Sequence, residues 1–306
     1  MTIQVFGHKS PDTDSTGSPI IWAWYLNEVK GRDAKAVLLG EPNTEAAFML
    51  NYWDLPKPAI VTGVAVDTPV VIVDTNNPAE LPDGINDADV QAIIDHHKLV
   101  GGLETKGPID ITIRPLACTA TIMHQLMGDD AARMPKPVKG AMLTCILSDT
   151  LEFRSPTTTE TDKSLAESLA KELGLSIAEY AAEMFAAKSD VSAFSEAELL
   201  RMDSKEYEVD GKQFRVSVLE TTSPQTVLDR KDALMAAMPQ VADEDGADQV
   251  LLFVVDILNE EATLLVPNDL VKSVALNSFD ATATGDTVLL PGIMSRKKQI
   301  IPNLKV

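Results

Sequence analysis

Ala92-Ile93-Ile94-Asp95-His96-His97-Lys98 runs from an apolar strand directly into a polar cluster, and it holds two of the chain's four histidines. The same arrangement occurs twice upstream. Ile3 to Phe6 leads into Gly7-His8-Lys9-Ser10-Pro11-Asp12-Thr13-Asp14-Ser15, and Val70-Val71-Ile72-Val73 leads into Asp74-Thr75-Asn76-Asn77. A short unbroken apolar run suits a strand buried on both faces. Between these runs lie helical patterns at Thr16 to Lys30 and Thr44 to Tyr52, and a further strand at Ala36 to Leu39. Strand–helix alternation predicts a parallel sheet flanked by helices. Pro11 fixes the first loop, and Ser15 or Thr16 is expected to cap the helix that follows.

The second half reads differently. Leu165, Leu169 and Leu173 place one apolar stripe on a helix from Asp162 to Leu173, which Gly174 ends. Ser176, with Glu179 three residues on, opens another helix running to about Lys188. The polar stretch Lys188-Ser189-Asp190-Val191-Ser192-Ala193 marks a boundary, giving a first domain over 1–188, a linker over 189–194 and a second domain over 195–306. Asp210-Gly211 is the turn of a hairpin spanning Tyr207 to Phe214. Ser223-Pro224 begins a helix expected to reach about Val241. Strands are expected at Gln249 to Leu258, Ala262 to Val266 and Val288 to Leu290, with a helix at Asp269 to Asn277. The fold class is therefore α/β: an N-terminal parallel-sheet domain plus a smaller mixed-sheet α/β domain.

Composition narrows the functions. Over 306 residues, 26 Lys and Arg face 46 Asp and Glu, a formal charge of −20. Non-specific nucleic-acid binding needs a basic face and is disfavoured. An anionic substrate looks equally unsuited, unless metal ions or clustered cations reverse the local charge. Two cysteines, Cys118 and Cys145, are too few for a disulfide scaffold and are expected to be buried free thiols. The start of the chain lacks a signal-peptide pattern, and no apolar run approaches the ~18 residues of a membrane span. A cytoplasmic protein with no membrane partner is expected.

Histidine and aspartate coincide. A fourth apolar run, Leu143-Thr144-Cys145-Ile146-Leu147-Ser148, also ends in an aspartate, Asp149. Sites in open parallel sheets form outside the carboxyl ends of the strands. If the strands are neighbours, His8, Asp12, Asp14, Asp74, His96 and Asp149 converge. Four carboxylates and two imidazoles in one place need cations to offset their repulsion. The set suits two divalent metals bridged by a carboxylate, and mixed nitrogen and oxygen ligands favour Mn²⁺, Co²⁺, Fe²⁺ or Zn²⁺. His124, on a helical stretch, and Asp256, with no histidine beside it, read as structural. Near the C-terminus, Ser295-Arg296-Lys297-Lys298-Gln299 concentrates three cations suited to phosphate. No glycine-rich phosphate loop and no G-x-S-x-G elbow is present.

Asp95-His96-His97 matches the signature of the DHH phosphoesterase superfamily. With His8-Lys9-Ser10-Pro11-Asp12-Thr13-Asp14 and Ser295-Arg296-Lys297-Lys298-Gln299, the chain resembles the manganese-dependent family II inorganic pyrophosphatases over nearly its whole length. The resemblance implies a metal-carrying N-terminal domain joined by a flexible linker to a C-terminal domain of DHHA2 type that closes over substrate. It implies that His8 and Asp12 bind one metal, that Asp14, His96 and Asp149 bind the other, and that Asp74 bridges them. His97, Lys205, Arg296 and Lys297 match substrate-binding positions, with His97 a candidate proton donor and Asp95 orienting a histidine. Thr75 departs from the histidine many members carry after the bridging aspartate. The implied reaction is hydrolysis of pyrophosphate to two orthophosphates by a hydroxide generated near neutral pH between two Mn²⁺ ions. Co²⁺ or Mg²⁺ are possible substitutes, further Mg²⁺ or Mn²⁺ arrives with substrate, and the protein is implied to be a homodimer. The alternatives are a DHH-superfamily oligoribonuclease or nucleotide phosphatase, or a non-catalytic metal-binding protein. The nucleases usually carry a histidine in the C-terminal domain, and here none lies beyond His124. The binding-protein reading leaves Arg296 and Lys297 without a purpose.

Overall fold

A computed structural model describes all 306 residues. The chain divides into two compact units, Met1–Ala187 and Lys188–Val306. The first contains β1 (Ile3–Phe6), α1 (Thr13–Glu28), β2 (Ala34–Leu38), α2 (Thr44–Tyr52), β3 (Ala59–Ile60), β4 (Pro69–Val73), β5 (Asp89–Asp95), β6 (Asp110–Ile113), α3 (Thr119–Met127), α4 (Lys136–Asp149) and α5 (Glu160–Leu173). The last helix, α6 (Ile177–Lys188), ends at the division between the units. Its six strands are ordered β3-β2-β1-β4-β5-β6, every neighbouring pair parallel. β1 and β4 are adjacent in the sheet, yet the chain visits β2 and β3 between them. This is the switch point where an open sheet leaves a crevice beyond its strand ends. β4 is buried at every position, which is why Val70 to Val73 carries no polar residue.

Two expectations for the first unit need correction. Asp149 ends a helix, α4, rather than a strand. The helix is apolar on nearly all sides because it is buried among its neighbours, and a run of that kind does not distinguish strand from buried helix. The cap of α1 is Asp12, one turn earlier than Ser15 or Thr16: its side chain accepts from the Ser15 amide. The short edge strands β3 and β6 carry no strong apolar pattern because they are largely exposed.

The second unit contains α7 (Glu196–Met202), β7 (Ser204–Val209), β8 (Lys212–Thr221), α8 (Gln225–Leu228), α9 (Lys231–Asp245), β9 (Gln249–Asp256), β10 (Glu261–Leu265), α10 (Asp269–Ser278), β11 (Ala283–Thr284) and β12 (Thr287–Pro291). Its sheet has the order β11-β12-β10-β9-β8-β7, with β8 and β9 parallel and the other pairs antiparallel. Alternate β9 residues feed two cores. Leu251, Phe253 and Val255 join one, while Val250, Leu252 and Val254 join the other. The helix expected from Ser223 to Val241 is interrupted. Arg230 leaves helical geometry between α8 and α9, and its guanidinium bonds the Val191 and Phe194 carbonyls and Glu196. Asp256, read as structural, accepts from the Leu258 and Asn259 amides that follow its strand. Both cysteines are free and buried, and no helix is long and apolar enough to cross a membrane.

α4 packs against the segment after α2 through Gly140. The Trp53 indole lies over this glycine and donates to Thr144 Oγ1 (3.1 Å) and Tyr180 Oη (2.9 Å). A Cβ at position 140 would overlap the ring. Gly140→Ala is therefore expected to cost about 1–3 kcal/mol of stability. Gly63→Ala, where a Cβ meets open space, should stay within about 0.5 kcal/mol of wild type. Urea unfolding of the two variants measures the difference.

Candidate metal centre

The loops after β1, β4 and β5, the first turn of α1 and the C-terminus of α4 bring the six acidic and imidazole candidates together. With His97, their side chains form three groups, in each of which the ligand atoms lie within 4.8 Å of one another: His8, Asp12 and Asp74; Asp14, His96 and Asp149; and Asp74, His96 and His97.

Asp74 joins the group around His8 to the one that holds His96 and His97, and His96 links that one to the third. Asp74 stands at φ 58°, a left-handed conformation that aspartate tolerates better than most residues. That conformation turns the chain out of β4, and its amide still donates to the Ile94 carbonyl of β5 (2.9 Å). Its two carboxylate oxygens face different imidazoles. Oδ1 is 3.4 Å from His96 Nε2, and Oδ2 is 3.7 Å from His8 Nε2. Oδ1 also accepts from Thr119 Oγ1 (3.2 Å), whereas the buried Oδ2 has no hydrogen-bond partner.

The neighbours are held by the protein. Asp14 is buried, with Ser18 Oγ donating to Oδ1 (2.6 Å) and the Thr119 amide to Oδ2 (2.7 Å). Asp12 caps α1 and leaves Oδ2 3.5 Å from His8 Nε2. The His8 amide donates to Ser15 Oγ (2.8 Å). His96 Nδ1 lies 3.2 Å from the Leu116 carbonyl, so its proton belongs on Nδ1 and Nε2 faces the carboxylates. Asp149 points a buried, unpartnered Oδ2 into the same cluster.

His97 differs from the others. It is half-exposed, and both its amide (3.0 Å) and Nδ1 (2.9 Å) meet Asp95 Oδ1. Asp95 Oδ2 accepts from Asn76 Nδ2 (2.5 Å). Asn76 also bonds the Lys98 carbonyl and the Val100 amide, which ties the loop after β5 to the loop after β4. The histidine that Asp95 orients is thus His97. These two loops and the loop after β1 line a cleft of about 550 Å³ that includes His8, Lys9, Asn76, Glu80 and His97.

The electrostatics are those of a site made for cations. Burial pushes the Asp74 carboxyl well up, and the carboxylates of Asp14, Asp12, Asp149 and Asp95 add to the effect. Burial likewise raises Asp149, followed by Asp14 and Asp12. Burial would raise Asp95 too, but hydrogen bonds from His97 and Asn76 outweigh it and hold this carboxyl low. The bond to Asp95 raises His97 above the ordinary imidazole range. Two buried carboxylate oxygens without partners, beside imidazoles whose Nε2 atoms face them, fit divalent metal ions. Nitrogen and oxygen donors without thiolate suit Mn²⁺.

The remaining candidates belong to the second unit. Arg296 opens a single π-helical turn, Arg296–Ile300. Its Nη2 donates to Asp203 Oδ1 (2.7 Å) and its Nη1 to the Asp203 carbonyl (2.6 Å), with the Val216 carbonyl 3.5 Å away. Lys205, on β7, is the register partner of the same Val216. Lys297 is exposed. Thr119, Leu116 and Asn76 escaped the sequence reading. Two of them act through backbone atoms or a hydroxyl amid Leu116-Ala117-Cys118-Thr119-Ala120, where no charged residue draws attention.

Comparison with known proteins identifies the family of the chain. The N-terminal domain of the DHH family matches residues 2–149, and the DHHA2 domain matches residues 182–306. A Deinococcus radiodurans protein named as a probable manganese-dependent inorganic pyrophosphatase is 40% identical over 308 residues, covering 99% of this chain and 98% of that protein. A Lactobacillus acidophilus protein of the same name is 35% identical over 98% of this chain and 96% of its own length. Among solved structures, a Methanococcus jannaschii protein assigned to the family II inorganic pyrophosphatases aligns with TM-score 0.62 at 31% identity, covering 99% and 98% of the two chains. An exopolyphosphatase-related protein from Bacteroides fragilis shares the fold, with TM-score 0.50 at 12% identity over 98% of this chain and 89% of that one. With relatives this similar along its whole length, and with DHH and DHHA2 domains in that order, the chain belongs to the manganese-dependent, family II inorganic pyrophosphatases of the DHH superfamily.

Proposed function

We propose that the protein hydrolyses inorganic pyrophosphate to two orthophosphates at the centre around Asp74. One observation carries the reading: Asp74 turns one oxygen toward His96 and the other toward His8, as a carboxylate shared by two metal ions must. The names of the full-length relatives supply the substrate and the metal. His8 and Asp12 would hold one Mn²⁺, and Asp14, His96 and Asp149 the other, with Asp74 between them. Co²⁺ or Mg²⁺ would substitute, and further Mg²⁺ or Mn²⁺ would enter with the substrate. When bound, such ions supply a water of lowered pKa and positive charge facing the phosphates.

The chain's own groups do the rest. His97, held through Nδ1 by Asp95, keeps Nε2 free to hand a proton to the leaving phosphate. Lys205, Arg296 and Lys297 would bind phosphate oxygens, Arg296 by its planar fork and the lysines as point charges. In this reading residues 1–188 form the metal-binding domain, 189–194 the linker and 195–306 the substrate-binding domain. A cytoplasmic homodimer that engages neither nucleic acid nor membrane completes it.

Phosphate release from pyrophosphate with Mn²⁺ present tests the reading directly. Activity should vanish on chelation, and the melting temperature should fall with it, since a ligand at 100 times its Kd contributes about 2.7 kcal/mol. Cleavage of short oligonucleotides with no pyrophosphate turnover would favour the nuclease alternative instead. His96→Ala should lower metal content and collapse turnover together, measured by elemental analysis and phosphate assay. Arg296→Ala should retain its metal yet lose about 10²-fold or more in kcat/KM. Full metal content in a wild-type protein that never turns over would point to a metal-binding protein.

A further inference from the structure

Thr119 belongs to neither proposed ligand set, yet it contacts Asp14 of one set and the shared Asp74. Its amide donates to Asp14 Oδ2 (2.7 Å) and its hydroxyl to Asp74 Oδ1 (3.2 Å). The residue is fully buried and is the first of α3, so the positive end of that helix faces the carboxylates. Three residues earlier, the Leu116 carbonyl meets His96 Nδ1 (3.2 Å). One short segment thus touches Asp14, Asp74 and His96 through three separate atoms. The segment is itself anchored. The Ala117 amide donates to Oδ2 of Asp162 (3.1 Å), a fully buried carboxylate on α5 that also caps that helix through Thr159.

We propose that Thr119 is a positioning residue for the metal centre, its hydroxyl fixing the rotation of the shared Asp74 carboxylate while its amide holds Asp14. The inference rests on reading the cluster as a two-metal site. A carboxylate that serves two ions has to present its two oxygens in opposite directions at once. Asp74 Oδ2 has no protein donor, so its orientation is set at Oδ1. At Oδ1 the only side-chain donor besides imidazole is the Thr119 hydroxyl. Groups that orient metal ligands in this way commonly govern metal affinity by 10–100-fold.

The test compares Thr119→Val, which keeps shape and amide but removes the hydroxyl, with Thr119→Ser, which keeps the hydroxyl. Mn²⁺ binding is measured by titration calorimetry, and Co²⁺ binding by its visible absorption, both without pyrophosphate. The expected result is a loss of about 10-fold or more in affinity for Thr119→Val, with an altered Co²⁺ spectrum. Thr119→Ser should restore both. A residue that merely filled space would lower the melting temperature of the metal-free protein and leave affinity and spectrum unchanged. Wild-type affinity in Thr119→Val, or equal losses in the valine and serine variants, overturns the proposal. If the valine variant does not fold, Thr119→Ala makes the same comparison. Wild-type protein and Asp74→Asn serve as controls. A wild type that binds fewer than two ions, or an Asp74→Asn variant that binds them unchanged, refutes the two-metal reading itself rather than the role of Thr119.

Discussion

Crowding of buried carboxylates is the constraint on which the first unit depends. Asp14 and Asp74 are buried, and Asp12 and Asp149 stand beside them. Burial first, and then the neighbouring carboxylates, raise the cost of ionising Asp74 and Asp149. Such a cluster persists only if donors hold it and cations complete it. Many of the polar contacts around it can be read as one or the other. Ser18, the Thr119 amide and hydroxyl, and the Ser15 amide supply donors; His8 and His96 supply the nitrogens that make the vacant oxygens useful to a metal.

The sheet order makes the crowding possible. Because β1 and β4 lie side by side while the chain passes through β2 and β3 between them, two loops leave the sheet at one point in divergent directions. β5 adds a third loop, and α4 delivers Asp149 from outside the sheet. Parallel strands buried on both faces give these loops a rigid base, which a metal site needs if its ligands are to be fixed within a few tenths of an ångström. Asn76 then joins two of the loops and passes that rigidity to Asp95 and His97.

Charge is divided between the units. The first concentrates acid around its centre. The second carries Lys205 on its edge strand β7 and Arg296 engaged by Asp203, with Lys297 exposed. The net charge of −20, which seemed to disfavour an anionic substrate, loses that meaning once the acidic residues of the centre are ligands. In the proposed reading, two divalent ions would offset the four carboxylates of the centre, so the protein's overall acidity would no longer act against an anion there.

Much of this was legible along the chain. Strand ends that run into His8, Asp74 and His96 carry their signal locally, because a buried strand must be apolar and a ligand must stand just beyond it. The Asp210-Gly211 hairpin and the Gly174 helix stop are equally local. The helical setting of Asp149 was not legible, since a helix buried on all sides has the same unbroken apolar run as a central strand. Nor was the interruption at Arg230, which depends on carbonyls nearly forty residues away in sequence. The sequence by itself determined which residue types meet, because strand ends in one parallel sheet must converge. Only the tertiary structure decided which oxygen of Asp74 faces which imidazole, and that Thr119, Leu116 and Asn76 hold them there. Those contacts join atoms 19 to 105 positions apart, many of them backbone atoms, which no pattern of side chains along the chain encodes.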